Sequence, residues 1–542
     1  MALLEIKNLS FTYSLNNSPS IKDINLKVNQ GDFIVVCGST GSGKSTLLKM
    51  FKNEIRPKGT IEGSIFFKGK NLDEYSLRES VTSFGMVMQN TSAQIVNEMV
   101  YSELAFGLEN LGVDPADIAI RVAEIANYFG INNWYNKPTS SLSGGEKQIL
   151  NLASILVMNP EVLLIDEPTS QVDPITAAEF LQTLKKLNQD FGLTIILIEH
   201  RLDELFTLSD RIIIMDQGSI LADSTPREVA SLVNDERLYL NLPLLLRISK
   251  RLNIDEYALS VKEGQNIISK FKNEIDYLNI PNEKLNKEVI ELKNIYFKYN
   301  REDDDILEDL SLKVFENEIF TILGSNGSGK STLLKVIAKL NLPYYGKVYI
   351  NGKNIKKIKD DDLYYKNIAY LPQNPADILF SMSVSEELDY YNIENDFILN
   401  LIKKLEIESL LDKHPDDLSG GEIQKVAFIK VLLQEPKIIL LDEPTKGLDA
   451  FLKVNLIEIL KELKANNITI IIVSHDLEFS AKVSSRVGIL FAGNILSISH
   501  PNTFFSNNFF YTTITNKITR GKFKNAVTEE DLIKLIELNG GL

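Results

Sequence analysis

The chain has 542 residues, more than a single hydrophobic core normally supports, so it should contain more than one domain. Its net charge of −15 argues against a general nucleic-acid binder, which would need a basic surface. The only cysteine is Cys37, so the chain can form neither an internal disulfide nor a cysteine-based zinc or iron–sulfur site. Its apolar runs have the length of strands and fall short of the roughly 20 residues that cross a bilayer. The first residues lack the pattern of a signal peptide, so we expect a cytoplasmic protein.

The first decisive element is an apolar run at 33–37, which predicts a buried strand. A glycine-rich loop and a helix start follow it, with the residues Gly38, Ser39, Thr40, Gly41, Ser42, Gly43, Lys44, Ser45 and Thr46. Strand, loop and helix in this order form a P-loop, whose backbone amides and helix dipole cradle a triphosphate. We expect Lys44 to reach the β- and γ-phosphates and the Ser45 hydroxyl to bind Mg²⁺.

Four further motifs follow in the first half. Gln89 comes after a short apolar run, and a helical insert is predicted at 117–129. The stretch Leu142-Ser143-Gly144-Gly145-Glu146 comes next, and Asp166-Glu167-Pro-Thr follows a second apolar run. His200 follows a third apolar run at 194–198. Two adjacent acids at a strand end could be an ordinary turn, and a lone glutamine could be a surface amide.

The second half repeats this series almost throughout. Its P-loop residues are Gly324, Ser325, Asn326, Gly327, Ser328, Gly329, Lys330, Ser331 and Thr332, and the later counterparts are Gln373, Ser419, Gly420, Gly421, Asp442, Glu443 and His475. Strands alternating with helices predict an α/β fold with a mostly parallel core sheet and a helical subdomain in each half. We expect domains at 1–224 and 287–502, and small folded appendages at 225–286 and 503–542, the last with a helix at 529–538.

These motifs in this order resemble the ATP-binding-cassette (ABC) ATPase family, and LSGGE is the most specific of them. The resemblance implies two cassettes with RecA-like sheet cores that pack head to tail and sandwich two ATP molecules. It implies that Asp166 and Asp442 hold Mg²⁺ and that Glu167 and Glu443 are general bases for the attacking water. Both halves keep these positions, so we expect two hydrolytic sites.

The resemblance also assigns the remaining positions. Tyr13 and Tyr299 would stack on adenine, although either could instead be a core-facing strand residue. Gln89 and Gln373 would sense Mg²⁺ and water, and His200 and His475 would bond the γ-phosphate. The capping residues would be Ser143, Gly144 and Gly145 for ATP at Lys330, and Ser419, Gly420 and Gly421 for ATP at Lys44.

A narrower resemblance concerns the segment after Gln89. The stretch from Gln89 to Gln94 and the run at 99–110 are similar to those of energy-coupling factor (ECF) importer ATPases, with Thr91 where proline is usual. This implies vitamin or metal uptake through a transmembrane coupling protein and a small substrate-binding membrane subunit. It places the chain on the cytoplasmic face of the membrane, with docking segments at 98–106 and 382–390. These segments could instead only pack the helical subdomain.

Two other functions remain open. A soluble, ribosome-associated tandem cassette would be expected to carry a long basic linker, whereas the linker here is charge-balanced and holds apolar clusters. A conventional ABC importer or exporter with both ATPases fused would carry the same ATPase motifs. The transported substrate would not touch this chain, so its identity leaves no residues in the sequence.

Overall fold

The computed structural model describes residues 2–14, 18–89, 91–169, 172, 174–199, 202–254, 257–280 and 286–541. The chain forms two compact units, Met1–Ser260 and Val261–Leu542. Each unit combines one antiparallel sheet, one mostly parallel sheet and packed helices, which confirms the predicted α/β fold of two cassettes.

The first unit holds ten strands and eleven helices among its described residues. The strands are β1 (Leu4–Tyr13), β2 (Ile21–Val28), β3 (Phe33–Gly38), β4 (Gly59–Phe67), β5 (Lys70–Asn71), β6 (Phe84–Val87), β7 (Val162–Asp166), β8 (Thr194–Ile198), β9 (Arg211–Asp216) and β10 (Ser219–Ser224). The helices are α1 (Lys44–Met50), α2 (Leu77–Ser83), α3 (Thr91–Gln94), α4 (Val100–Asn110), α5 (Pro115–Tyr128), α6 (Gly144–Leu156), α7 (Pro174–Phe191), α8 (Leu205–Leu208), α9 (Val229–Leu232), α10 (Glu236–Leu240) and α11 (Leu244–Arg251).

The described part of the second unit also holds ten strands and eleven helices. The strands are β11 (Glu288–Phe297), β12 (Leu307–Phe315), β13 (Ile319–Leu323), β14 (Tyr345–Ile350), β15 (Lys353–Asn354), β16 (Ile368–Leu371), β17 (Ile438–Asp442), β18 (Thr469–Val473), β19 (Arg486–Phe491) and β20 (Asn494–Ser499). The helices are α12 (Val261–Ser269), α13 (Lys330–Ile337), α14 (Asp360–Tyr364), α15 (Val384–Glu387), α16 (Asp396–Lys404), α17 (Gly420–Leu432), α18 (Ala450–Ala465), α19 (Leu477–Val483), α20 (Pro501–Asn507), α21 (Ile514–Thr519) and α22 (Glu529–Leu538).

The core sheet has the same strand order in both units. In the first it runs β10-β9-β3-β8-β7-β6, and in the second β20-β19-β13-β18-β17-β16. All neighbours pair in parallel except the outermost pair, β9 with β10 and β19 with β20. Strands β3, β7 and β8 are buried at every residue, as expected for parallel strands covered on both faces. Their carboxyl ends share one edge, which gathers the loops that follow them.

The helical insert of the first cassette forms its own apolar core. Helix α5 begins after Asp114, whose carboxylate accepts from the backbone N–H of Ala116 at 2.9 Å, and it has proline in its first turn. Ile118 and Val122, one helical turn apart, pack against Leu104 and Leu108 of α4. The corresponding helix of the second cassette is α16, whose N-cap is Asn395.

The segment 225–286, predicted as one appendage with a linker, contributes to both units. Helices α9 to α11 pack on the core of the first unit through Val229, Leu238 and Leu246, one from each helix. Helix α12 instead packs against α21 in the second unit, where Gln265 Nε2 donates to the carbonyl of Lys517 at 2.9 Å. The helix predicted at 529–538 is present with those bounds as α22. Among the residues that the structure describes, no helix is both long and apolar enough to cross a membrane.

Candidate active sites

Each P-loop joins a buried strand to a helix through a glycine in the left-handed region. Gly43 and Gly329 are the N-caps of α1 and α13, with φ of 93° and 98°. A Cβ on Gly43 would lie 2.4 Å from the carbonyl oxygen of Ser20, so only glycine fits there. The loops thus place backbone amides at a helix N-terminus, an arrangement that binds phosphate.

The lysine of each loop is buried and held by its own loop. Lys44 Nζ donates to the carbonyls of Gly38 at 3.0 Å and Ser39 at 2.8 Å. Lys330 Nζ donates to the corresponding carbonyls, Gly324 and Ser325, at 2.9 Å each. The ammonium groups are therefore positioned inside the anion-binding loops.

The serine after each lysine contacts an aspartate at the end of another core strand. That strand, β7 or β17, is separated by one strand from the strand that precedes the P-loop. Ser45 Oγ donates to Asp166 Oδ1 at 3.1 Å, and Ser331 Oγ donates to Asp442 Oδ1 at 3.0 Å. Burial and the adjacent Glu167 raise the pKa of Asp166 to about 6, and burial also raises the pKa of Asp442. A nearby cation would favour the ionised carboxylates.

The hydroxyl and carboxylate oxygens fit Mg²⁺, which prefers such ligands and usually binds through one or two carboxylates together with substrate phosphates. Within the described residues, no group of three or more His, Cys, Asp or Glu side chains could hold a metal ion alone. Each serine–aspartate pair supplies two oxygen ligands and would hold Mg²⁺ jointly with a phosphate.

The two predicted general bases have the same backbone conformation, and each contacts another predicted site residue among those that the structure describes. Glu167 and Glu443 directly follow β7 and β17, with φ of 45° and 52° in the left-handed region. Gln89 Nε2 donates to Glu167 Oε2 at 2.7 Å. In the second cassette, His475 Nδ1 lies 2.8 Å from Glu443 Oε2 and Gln373 is exposed. The predicted counterpart His200 lies outside the described residues.

The two predicted adenine-stacking tyrosines lie beside their P-loop helices. Tyr13 packs edge-on against Phe11, with ring centroids 4.9 Å apart, and its hydroxyl lies 3.0 Å from Thr46 Oγ1. Tyr299 repeats both contacts, with Phe297 at 5.1 Å and Thr332 Oγ1 at 3.3 Å. Tyr13 is half-buried whereas 53% of Tyr299 is exposed, so the second ring is the more accessible.

The LSGG stretches begin helices α6 and α17, and the serine and the first glycine of each stretch are exposed. Ser143 and Ser419 are N-caps in capping boxes with Glu146 and Glu422. A Cβ on the following glycine, Gly144 or Gly420, would meet open space. These helix starts are able to contact an anionic ligand.

Two contacts at the sites were not expected from the sequence. Ser39 Oγ donates to Asp216 Oδ1 at 2.7 Å, which ties the first P-loop to the end of β9. The Tyr370 hydroxyl donates to Asp442 Oδ2 at 3.2 Å. Burial, together with Asp442, raises the pKa of Tyr370 and keeps this hydroxyl protonated. Alignment of the repeats at their glutamines would have placed Tyr370 opposite Met86, but only the strand register reveals the contact.

The family model for ABC transporters matches the chain twice, at residues 21–170 and 307–446. The chain belongs to the ABC transporter family. This tandem ABC ATPase is 39% identical over 541 residues to a Bacillus thuringiensis protein provisionally named an ABC transporter ATP-binding protein, with 98% of each chain covered. A Methanosarcina mazei protein of the same provisional name is 32% identical and covers 91% of this chain and 88% of its own.

A solved structure shares the fold. The archaeal ribosome recycling factor aABCE1, solved in complex with ribosomal stalk protein aP1, aligns over 92% of each chain with a TM-score of 0.59 and 21% identity. The structure of cbiO1 from Clostridium perfringens, part of the ABC transporter complex cbiONQ, covers 47% of this chain and 99% of its own. Its TM-score is 0.40 and its identity 30%.

Proposed function

We propose that this tandem ABC ATPase is the ATP-hydrolysing energy-coupling subunit of an ECF-type importer for vitamins or metal ions. It works at the cytoplasmic face of the membrane, bound to a transmembrane coupling protein that also holds a small substrate-binding subunit. The observation that carries the proposal is a pair of matching loops with exposed apolar tips, one in each cassette.

The chemistry is divided among residues of both cassettes. Lys44 and Lys330 hold the β- and γ-phosphates of ATP in the P-loops. Glu167 and Glu443 orient the attacking water and draw its proton, assisted by Gln89 in the first cassette and His475 in the second. Ser45 with Asp166, and Ser331 with Asp442, would hold Mg²⁺, which would neutralise charge that develops on the phosphates.

The proposal keeps the roles that the family resemblance implies for the remaining residues. Tyr13 and Tyr299 stack on adenine, and the segments beginning at Ser143 and Ser419 cap the ATP held by the other cassette. ATP binding closes the two cassettes and hydrolysis reopens them, a cycle that moves the membrane partner.

ATP hydrolysis at both sites is tested by Glu167→Gln and Glu443→Gln, separately and together. Removing a general base costs about 10²- to 10⁴-fold in rate. We expect each single change to lower the steady-state release of phosphate and the double change to lower it at least a hundredfold. If one single change abolishes turnover and the other is silent, the two sites do not both hydrolyse ATP.

The matching loops are each folded around a buried glutamate. The backbone N–H groups of Val96 and Asn97 donate to Glu103 Oε2 at 3.1 and 2.8 Å. In the second cassette the N–H groups of Phe380 and Ser381 donate to Glu387 Oε2 at 2.6 and 2.7 Å. The two glutamates occupy equivalent places in α4 and α15, so both loops have the same construction.

This construction directs apolar side chains into solvent. Val96 is 67% exposed and Phe380 is 80% exposed, and Met382 beside it is 74% exposed. Met99 and Phe106 in the first cassette are also more than a third exposed. Several exposed apolar side chains close together in the sequence favour a surface that binds a protein partner. They lie at or beside the two segments predicted to dock the membrane protein.

The partner is tested by affinity purification from detergent-solubilised native membranes, with mass spectrometry of the proteins that co-elute. We expect one membrane coupling protein and one or more small hydrophobic subunits. The double variant Val96→Asp/Phe380→Asp should lose them. The matched control is Leu221→Asp/Leu496→Asp, which places the same charges on equivalent exposed positions of β10 and β20.

Recovery of ribosomal proteins, or of no membrane protein, would contradict the importer function. It would not contradict the proposed ATP hydrolysis. Equal loss of the membrane subunits in the test and control variants would contradict the docking surface.

A further inference from the structure

The two ATP sites differ at the strand beside their aspartates. Tyr370 in β16 pairs with Leu440 of β17, so it lies on the same face of the sheet as Asp442, two residues further on. Its hydroxyl donates to Asp442 Oδ2 at 3.2 Å while Ser331 donates to Oδ1 at 3.0 Å. Both oxygens of this carboxylate are therefore held, which fixes its rotation.

The first cassette has the same register with a different side chain. Met86 of β6 pairs with Leu164 of β7 and lies on the face of Asp166. Its side chain is 6% exposed and packs in the apolar core with Phe84 and Leu164. A thioether has no proton to donate, so Met86 cannot orient Asp166 as Tyr370 orients Asp442.

We propose that Tyr370 is a positioning residue that orients Asp442 for Mg²⁺, so that the second site binds the metal more tightly than the first. The proposal rests on the proposed ATP hydrolysis and adds that the two sites are unequal. A hydrogen-bonded partner of a metal ligand commonly contributes 10- to 100-fold to metal affinity. Tyr370 does so without touching the nucleotide.

The test measures metal binding directly, on the full chain with a non-hydrolysable ATP analogue. Mn²⁺ replaces Mg²⁺, and free Mn²⁺ is followed by electron paramagnetic resonance. Lys44→Ala isolates the second site and Lys330→Ala the first. We expect tighter Mn²⁺ binding at the second site, and about tenfold weaker binding there when Tyr370→Phe removes only the hydroxyl.

The reciprocal variant is Met86→Tyr, which brings a hydroxyl to the first site and should tighten Mn²⁺ binding when Lys330→Ala is present. Analogue binding in EDTA and the thermal midpoint should be the same with and without Tyr370→Phe, since both report on folding and on the P-loop but not on the metal.

An unchanged Mn²⁺ affinity after Tyr370→Phe would overturn the role of Tyr370. This role would also be overturned if Tyr370→Phe weakened Mn²⁺ binding equally in the Lys330→Ala background, where only the first site is intact. If the Lys44→Ala protein fails to bind the analogue before Tyr370 is changed, the proposed ATP site of the second cassette is refuted instead. The same result with Lys330→Ala refutes the site of the first cassette.

Discussion

Cys37 lies in β3 directly before Gly38, which ends the strand and is the first glycine of the P-loop. Cys37 is 3% exposed. Burial raises the pKa of its thiol to about 12, although the nearby Lys44 opposes this. The thiolate is the reactive form of cysteine. The raised pKa keeps the thiolate fraction small and burial limits access, so both protect Cys37 from thiol reagents.

We therefore expect Cys37 to react with Ellman's reagent at least about a hundredfold more slowly in the native protein than in urea, since at pH 8 a thiol of pKa near 8.5 is partly ionised. Because it is the only cysteine, the released chromophore reports on this strand alone. Stoichiometric reaction of the native protein within minutes would contradict the buried position of β3.

At the scale of elements, Asp476 stabilises the start of α19 in two ways. Its Oδ1 accepts from the backbone N–H of Phe479 at 3.0 Å, and its Oδ2 pairs with Lys453 Nζ at 2.7 Å. Burial alone would raise its pKa, but Lys453 and the N-cap bond outweigh it and bring the pKa down to about 2. A carboxylate with a lowered pKa contributes stability above its unfolded pKa, and this is lost as the pH falls towards the folded value.

Replacing Asp476→Asn keeps an oxygen for the N-cap and removes the charge. We expect the free energy of unfolding to fall by about 2 kcal/mol at pH 7, measured by urea denaturation. The difference from the wild type should shrink between pH 4 and pH 2, the window set by the two pKa values. The double variant with Lys453→Met should lose little more than Asp476→Asn, and a fully additive loss would contradict the ion pair.

The capping boxes of α6 and α17 have a matched control in α2, which Ser76 caps in the same way with Glu79. Ser143→Ala, Ser419→Ala and Ser76→Ala should each cost about 1 kcal/mol of stability, seen as a lower thermal midpoint. We expect the first two to reduce ATP hydrolysis as well, and Ser76→Ala to leave it unchanged. Equal effects on hydrolysis at all three positions would show that Ser143 and Ser419 only cap their helices.

Motifs with local causes could be predicted from the sequence. The P-loops depend on neighbouring glycines and one lysine, and the helix at 529–538 on its own apolar period, with a capping box formed by Thr528 and Asp531. The motifs assigned both Ser45 and Asp166 to Mg²⁺, and their side chains meet at 3.1 Å.

Two kinds of feature could not be predicted: contacts that depend on strand register, and the choice of which unit's core a segment packs against. The bond from Tyr370 to Asp442 requires the pairing of β16 with β17, which the spacing of motifs does not give. The apolar clusters within 225–286 predicted a folded appendage. Composition did not indicate that its first part would pack on one unit and Val261–Ser269 on the other.

At the scale of the whole molecule, each unit contains a complete set of the residues that one ABC cassette contributes, apart from His200, which lies outside the described part of the chain. Among the described residues, Gln89 bonds Glu167 in the first unit and His475 contacts Glu443 in the second. We therefore propose that one chain binds and hydrolyses two ATP molecules.

The most direct test is the stoichiometry of ATP binding to the Glu167→Gln/Glu443→Gln variant, by equilibrium dialysis with Mg²⁺ and radiolabelled ATP. We predict two ATP per chain, and one per chain after Lys44→Ala or Lys330→Ala is added. A single ATP per chain before either lysine is changed, or two per chain after one of them is changed, would contradict one ATP site in each cassette.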